Sequence, residues 1–314
     1  MSIVNAFKGV LPAMQVPFNN DYSIDEPELR LFSKWLAGHE GIGGLVTNGH
    51  TGEVFALSAK ERAEVTRIVA DEVAGGLPVI SGICCEGINE AVEHAQMAKE
   101  AGASGLLVMP PHTWLRFGMR EQHVIDYFSA IGEAVNINLV VHVYPAWTKT
   151  RYSSKLLADL ARLPWVTTFK VGTREMSKYD RDILAIRAAD ESCTILTCHD
   201  EYLLASMVQG VDGALVGFAS FVPEMITALY KAVQEGDLKT AQAIQSQIFP
   251  LKNAVYGSGE PTGDAHARMK TAMVLSGRMK SNVVRPPTTQ PVGEEYERIV
   301  EAVQQADLLQ KDAA

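Results

Sequence analysis

A lysine near the end of a strand-forming run is the first feature of this chain that could do chemistry. The stretch VTTFKVGT (166–173) is rich in Thr, Phe and Val, follows Pro164 and stops at Gly172. It reads as a buried strand that carries Lys170. Desolvating an ammonium is expensive, so such a lysine snorkels out, pairs with a carboxylate, or gives up its proton. A free lysine has a pKa of about 10.4, which leaves roughly one in 2,500 neutral at pH 7. A dry interior lowers that pKa by several units and frees the amine to attack a ketone. Strand alternation puts Thr168, Lys170 and Gly172 on one face, and Phe169 and Val171 on the other.

Other reactive side chains gather at equivalent places. Apolar runs end in NGHTGE (48–53), MPPHTW (109–114), HVYPAW (142–147) and TCHDE (197–201). These ends supply His50, Glu53, His112, His142, Tyr144, His199 and Asp200, including four of the eight histidines. Imidazoles there could move protons, bind a metal, or simply hydrogen-bond to loops. No H-x-x-x-H or H-E-x-x-H helix occurs, and the first strand ends in QVPF without a His-x-His pair. These absences argue against a metal, and a lysine that carries the covalent chemistry itself would require no metal or organic cofactor. A metal-dependent hydrolase using His50, His112, His142 and His199 remains an alternative.

The elements that would position these groups alternate regularly. Short apolar runs at 9–18, 43–49, 78–85, 105–111, 138–145, 166–172, 193–199 and 213–218 are separated by amphipathic, helix-like segments. Ser58 with Glu61 forms a capping-box signature at one helix start. EGIGGLV, AGASGLLV and QGVDGALV repeat a glycine that ends a helix and turns into the next strand. Eight strand–helix units predict a (β/α)8 barrel over 1–222, with chemistry at the C-terminal strand ends. No G-x-G-x-x-G follows the first strand, which disfavours a dinucleotide fold. Beyond Val222, segments 223–236, 238–254, 264–277 and 293–309 read as helices of a C-terminal extension (223–314) packed beside the barrel, linked in part by the Pro-rich VVRPPTTQPV.

Composition narrows the function classes. The chain has 314 residues, 47% hydrophobic and 21% charged, as expected of a globular protein. A net charge of −9 and the lack of a basic run argue against nucleic acid or an anionic membrane as partner. The N-terminal MSIVNAFKGVLPAMQ lacks a charged-then-apolar leader layout, and no apolar run approaches the ~20 residues of a bilayer span. Cys84, Cys85, Cys193 and Cys198 form no C-x-x-C pair. A reduced, cytoplasmic protein is the expectation.

Taken together, NGHTGE after strand 2, a proline at the end of strand 5 and the strand-6 lysine in FKVGT resemble the dihydrodipicolinate synthase/N-acetylneuraminate lyase superfamily, which are class I, Schiff-base (β/α)8 lyases. GVLPAMQVPFNNDYSID, SAKERAEV, GVDGALVGFASFVPE and MKTAMVLSGRMKSNVVRPP extend the match along the chain. The resemblance implies that Lys170 is the Schiff-base nucleophile and that the turn Gly49–Glu53 holds a 2-oxo acid carboxylate, through Thr51 and nearby N–H groups. Gly49, Thr51, Gly52, His112 and Leu215 are the expected substrate contacts. It also implies a homo-oligomer, a dimer or tetramer.

Departures from the family pattern shape the expected chemistry. His142 stands where relatives have the catalytic tyrosine, His50 where they have the first threonine of the glycine-rich turn, and His112 at the tyrosine after strand 4. An imidazole titrating near pH 6.5 could shuttle protons in place of a hydroxyl, and Tyr144, two residues on, could supply a phenol instead. Trp147 occupies the place of the arginine that binds the second substrate's carboxylate in true dihydrodipicolinate synthases. With Trp114, it suggests an aromatic pocket and argues against the lysine-pathway reaction, although both could merely cover loops. The expected activity is a Schiff-base lyase on pyruvate or a 2-oxo acid, with Lys170, His142, His50 and Tyr144 as catalytic candidates. A 2-keto-3-deoxy sugar acid dehydratase using the same imine fits these residues too, as does a non-catalytic barrel.

Overall fold

The computed structural model describes residues 7–200, 202–257 and 263–310. Eight parallel strands form one sheet: β1 (Gly9–Pro12), β2 (Leu45–Thr47), β3 (Val79–Ile83), β4 (Gly105–Val108), β5 (Asn138–Val143), β6 (Val166–Val171), β7 (Thr194–Thr197) and β8 (Gly213–Val216). From β2 onward each strand pairs with the next, and β8 pairs with β1. Bridges from Val10 to Ile42 and from Ala13 to Val46 bring β1 beside β2, so the sheet curls into a (β/α)8 barrel as the sequence predicts.

The strands are near-continuous apolar runs because both faces are covered. Leu11, Val46, Ile80, Leu107, Val140 and Leu215 fill the barrel interior, while Val141, Phe169 and Val171 face the helices. Thr168 also points inward, where its hydroxyl lies 2.9 Å from that of Thr194. The next inward position of β6 is Lys170, one layer above this packed floor.

Local signals place the helices. Ser58 and Glu61 make the predicted reciprocal cap of the helix Ala59–Val73. Gly41, Gly102 and Gly210, the repeated glycines, all adopt positive φ (89°, 96° and 78°) at helix-to-strand turns, a conformation that costs a side-chain-bearing residue dearly.

After β8 the helix Pro223–Gln234 packs on β1 and on the helix Leu238–Tyr256, completing the eighth strand–helix unit. The helices Ala265–Leu275 and Glu294–Gln305 follow, and Ala265–Leu275 lies against the turn after β2. The C-terminal helices therefore reach the same end of the barrel as the reactive strand ends. Among the described residues no helix is long and apolar enough to cross a membrane.

Candidate active site

Lys170 and His142 are direct neighbours across the β5–β6 ladder, with Leu196 of β7 on the other side of the lysine. The register is set by an irregularity at Leu139/Val140, above which Val140 faces Thr168 and His142 faces Lys170. Both side chains line a cavity of ≈ 60 Å³ at the C-terminal end of the barrel, together with Gly49, His50, Thr51, Tyr144, Asp200 and Gly217. Tyr144 is buried one step beyond the end of β5. It owes its position partly to Gly172, where a Cβ would collide with the Tyr144 ring and Cys198 Sγ.

The histidines divide into distinct roles. His142 is 1% exposed, and neither ring nitrogen has a hydrogen-bond partner among the described residues. Its ring lies 5.4 Å from that of His50 and 6.4 Å from that of Tyr144. His50 stacks on Phe55 at 5.2 Å and 17° between planes. His112 sits farther out, 5.3 Å from Phe55, with Nδ1 2.7 Å from Glu86 Oε1. His199 is fully buried on the far side of Tyr144, 5.2 Å from the Tyr179 ring. The four do not converge as a metal-hydrolase site requires. Among the described residues, the group whose ligand atoms lie within 4.8 Å of one another is instead Cys85, Glu90 and His94. There the Arg62 guanidinium donates to His94 Nδ1 at 3.2 Å, which disfavours a cation.

Electrostatics at the site follow from burial. Desolvation, its largest cause, pulls the Lys170 pKa below the usual lysine range, and the charges of Cys198 and Asp200 oppose the shift. Burial also drives His50 down to about 3, reinforced by Lys170 and by His112. His142 is pushed well below its ordinary value by burial first, then by Lys170 and His50. Both shifts favour the neutral ring, away from the ordinary imidazole value near 6.5. A neutral ring still offers one N–H and one lone pair, which suffices to pass a proton along.

The turn after β2 is a short 3-10 helix, His50–Gly52, followed by Glu53 in the left-handed region at φ 55°. The N–H groups of Gly52, Glu53 and Val54 are used within it, on Gly49 O (3.1 Å), His50 O (3.1 Å) and Gly49 O (3.4 Å). Gly52 thus braces the turn rather than lining the cavity, and a Cβ there would stand 2.8 Å from Met14 O. Thr51 does line it, and so does Gly217, where a Cβ would stand 2.7 Å from Thr51 Oγ1 and 2.9 Å from the Tyr256 hydroxyl. Leu215, expected as a contact, belongs to the packed barrel floor, and Gly217 is the residue after β8 that meets the cavity. Trp114 packs against Tyr127 at 5.5 Å between ring centroids, as a loop cover, and the Trp147 side chain lies outside the described residues.

The C-terminal helices contribute groups that strand-end reading missed. Tyr256, His266 and Met269 all line the inner cavity. Lys270, 0% exposed, forms an ion pair with Glu53 at 2.5 Å, donates to Val283 O at 2.9 Å and lies 4.3 Å over the Phe18 ring. Glu53 also accepts from the Arg285 N–H at 3.1 Å. The sequence did carry a signal here, a lysine within the mostly apolar run MKTAMVL, whose helix is buried on nearly every side.

Comparison with known proteins agrees with this architecture. The Dihydrodipicolinate synthetase family model matches residues 6–306. The chain is 32% identical over 283 residues to a 4-hydroxy-tetrahydrodipicolinate synthase of Haloarcula marismortui, covering 90% of this chain and 88% of the relative. It is 28% identical over 304 residues to an uncharacterized DapA-like lyase of Thermofilum pendens, covering 96% and 98%. Among solved structures, YagE from E. coli, a prophage protein of the dihydrodipicolinic acid synthase family crystallised with pyruvate, superposes with a TM-score of 0.88 at 26% identity, over 97% of this chain and 100% of that one. A barrel with a lysine at the end of its sixth strand and a family match over almost its whole length place this chain in the dihydrodipicolinate synthetase family, the carbon–carbon or carbon–oxygen lyases of the Schiff-base, class I aldolase type.

Proposed function

We propose that this protein is an aldolase-type lyase in which Lys170 forms the imine with pyruvate or a longer 2-oxo acid. The observation that carries the reading is the His142–Lys170 pair: a low-pKa amine beside a buried imidazole whose nitrogens have no partner among the described residues, both lining one cavity. In the cleavage direction Lys170 Nζ attacks C2 of a 4-hydroxy-2-oxo acid. The carbonyl oxygen leaves as water after proton transfers, and a protonated imine remains. A base takes the C4 hydroxyl proton, the C3–C4 bond breaks toward the iminium, and an aldehyde departs from an enamine. Protonation at C3 and attack of water on C2 then release pyruvate and restore the amine.

His142 and His50, neutral and in ring contact, are the proton carriers in this scheme, with the Tyr144 phenol beside them. Thr51 offers the substrate carboxylate its hydroxyl from the turn. The lysine supplies the electron sink, so the chemistry asks for no further cofactor. We extend the proposal to a homo-oligomer in a reducing, cytoplasmic setting, consistent with four cysteines none of which is in a disulfide among the described residues. The lysine-pathway reaction is disfavoured, because Trp147 takes the place of the carboxylate-binding arginine.

Borohydride reduction in the presence of pyruvate, followed by intact mass and peptide mapping, tests the reading. A pyruvyl adduct on Lys170 is expected, and its loss in Lys170→Ala. An adduct on another lysine, or Lys170→Ala that still turns over substrate by the same route, defeats it.

A further inference from the structure

Next to the inner cavity lies a second one of ≈ 370 Å³. His50 and His266 line both, so they form the throat between them. This outer chamber is bounded by Phe55, Pro110, His112 and the Pro286–Pro287 segment. Phe55 is 59% exposed, yet it is held between two imidazoles, stacked on His50 at 5.2 Å and tilted toward His112 at 5.3 Å. A row of three rings with an open face is an unusual thing to leave in water, and it is the kind of surface on which a planar ligand stacks.

Among the described residues, the charges that line the chamber are already engaged. Arg285 is the lining guanidinium, and its donors reach Tyr22 O (2.7 Å), Ala56 O (2.7 Å) and Glu61 Oε1 (2.5 Å). Glu53 is paired with Lys270, and the His112 ring is held by Glu86. A second carboxylate entering here would be desolvated with no uncommitted cation among these residues to receive it, which is costly.

We propose that the outer chamber binds the part of the substrate beyond C4, and that the aldehyde it derives from is uncharged and ring-bearing. The inference rests on the imine reading of the inner cavity. The 2-oxo acid head occupies the inner cavity at Lys170, the throat places C4 and its oxygen between His50 and His266, and the aryl group lies along Phe55. Room of a few hundred Å³ suits a small planar molecule.

The test uses the full-length enzyme with pyruvate and two aldehydes, benzaldehyde and succinic semialdehyde, after adduct formation on Lys170 has been read by mass. Benzaldehyde is expected to condense with a kcat/KM at least about ten-fold above that of succinic semialdehyde. Phe55→Ala is expected to raise the benzaldehyde KM about five-fold with kcat little changed, as loss of one aromatic contact allows. Phe55→Arg is expected to reverse the preference. With the Lys170 adduct present, equal or better use of succinic semialdehyde, or use of neither aldehyde, overturns the proposal and leaves the imine intact. Absence of the adduct takes away both.

Discussion

Removing Lys270 is the sharpest physical test of how this site is held. The ammonium is 0% exposed and its partner Glu53 is nearly as deep, immediately after the turn that carries His50 and Thr51. In Lys270→Met the methionine fills the space over Phe18, but the Glu53 carboxylate keeps only the Arg285 N–H at 3.1 Å and His266 Nε2 at 4.0 Å. Breaking a buried pair from one side costs about 3–5 kcal/mol, because a charge is left without its partner. For a chain of this size that lowers Tm by roughly 5–8 °C. Replacing both partners, Glu53→Gln with Lys270→Met, removes the stranded charge and is expected to recover most of the loss. Scanning calorimetry on the four proteins reads the cycle. Additive losses, or a Lys270→Met protein melting within about 2 °C of the parent, would refute the reasoning.

The same lysine predicts a pH dependence with a definite sign. Burial pushes its pKa down to about 8 despite the attraction of Glu53, while the unfolded chain titrates near the ordinary 10.5. Between those values the unfolded state holds a proton that the native state has released, so this group's contribution to stability rises with pH across the window. The Tm gap between the parent and Lys270→Met should widen from about pH 8 to about pH 10, and a narrowing gap would show the sign to be wrong.

Three further outcomes follow from the site. His142→Leu removes a buried ring whose nitrogens have no partner among the described residues, so Tm should hold or rise while kcat falls about a hundred-fold, within the range of a lost acid–base group; equal loss of both would make His142 structural. With His50 near pKa 3 and His142 well below its ordinary value, kcat/KM should show no imidazole inflection at about pH 6–7, and a clear step there would contradict their neutrality. Gly172→Ala should displace the Tyr144 ring and Cys198 and cost about 1–3 kcal/mol in denaturant unfolding; a wild-type midpoint would mean the Tyr144 loop moves freely.

Strand-borne groups are the ones legible in the sequence. Alternation alone puts Lys170 inward, and the observed register sets it beside His142 on the same interior face. The repeated glycines, the Ser58 cap and the C-terminal helices are likewise readable, since each depends on a few neighbouring residues. Leu215 lies two residues short of Gly217, which follows its strand and meets the cavity, because periodicity tells inward from outward but not floor from mouth. The Gly52 N–H closes the turn on Gly49 O, a partner that its place in the motif does not reveal.

What the sequence determined by itself was the alternation of strands and helices, the inward lysine and the crowd of imidazoles at strand ends, all of them local or periodic properties. The tertiary structure alone decided which of those imidazoles meet, that desolvation lowers the proton affinity of two of them, and that Tyr256, His266 and Lys270 return from the far end of the chain to the same barrel end. Proton affinity depends on everything packed within a few ångströms, and the Glu53–Lys270 pair spans 217 residues of chain. No local pattern encodes a meeting at that separation; burial of the whole barrel end does.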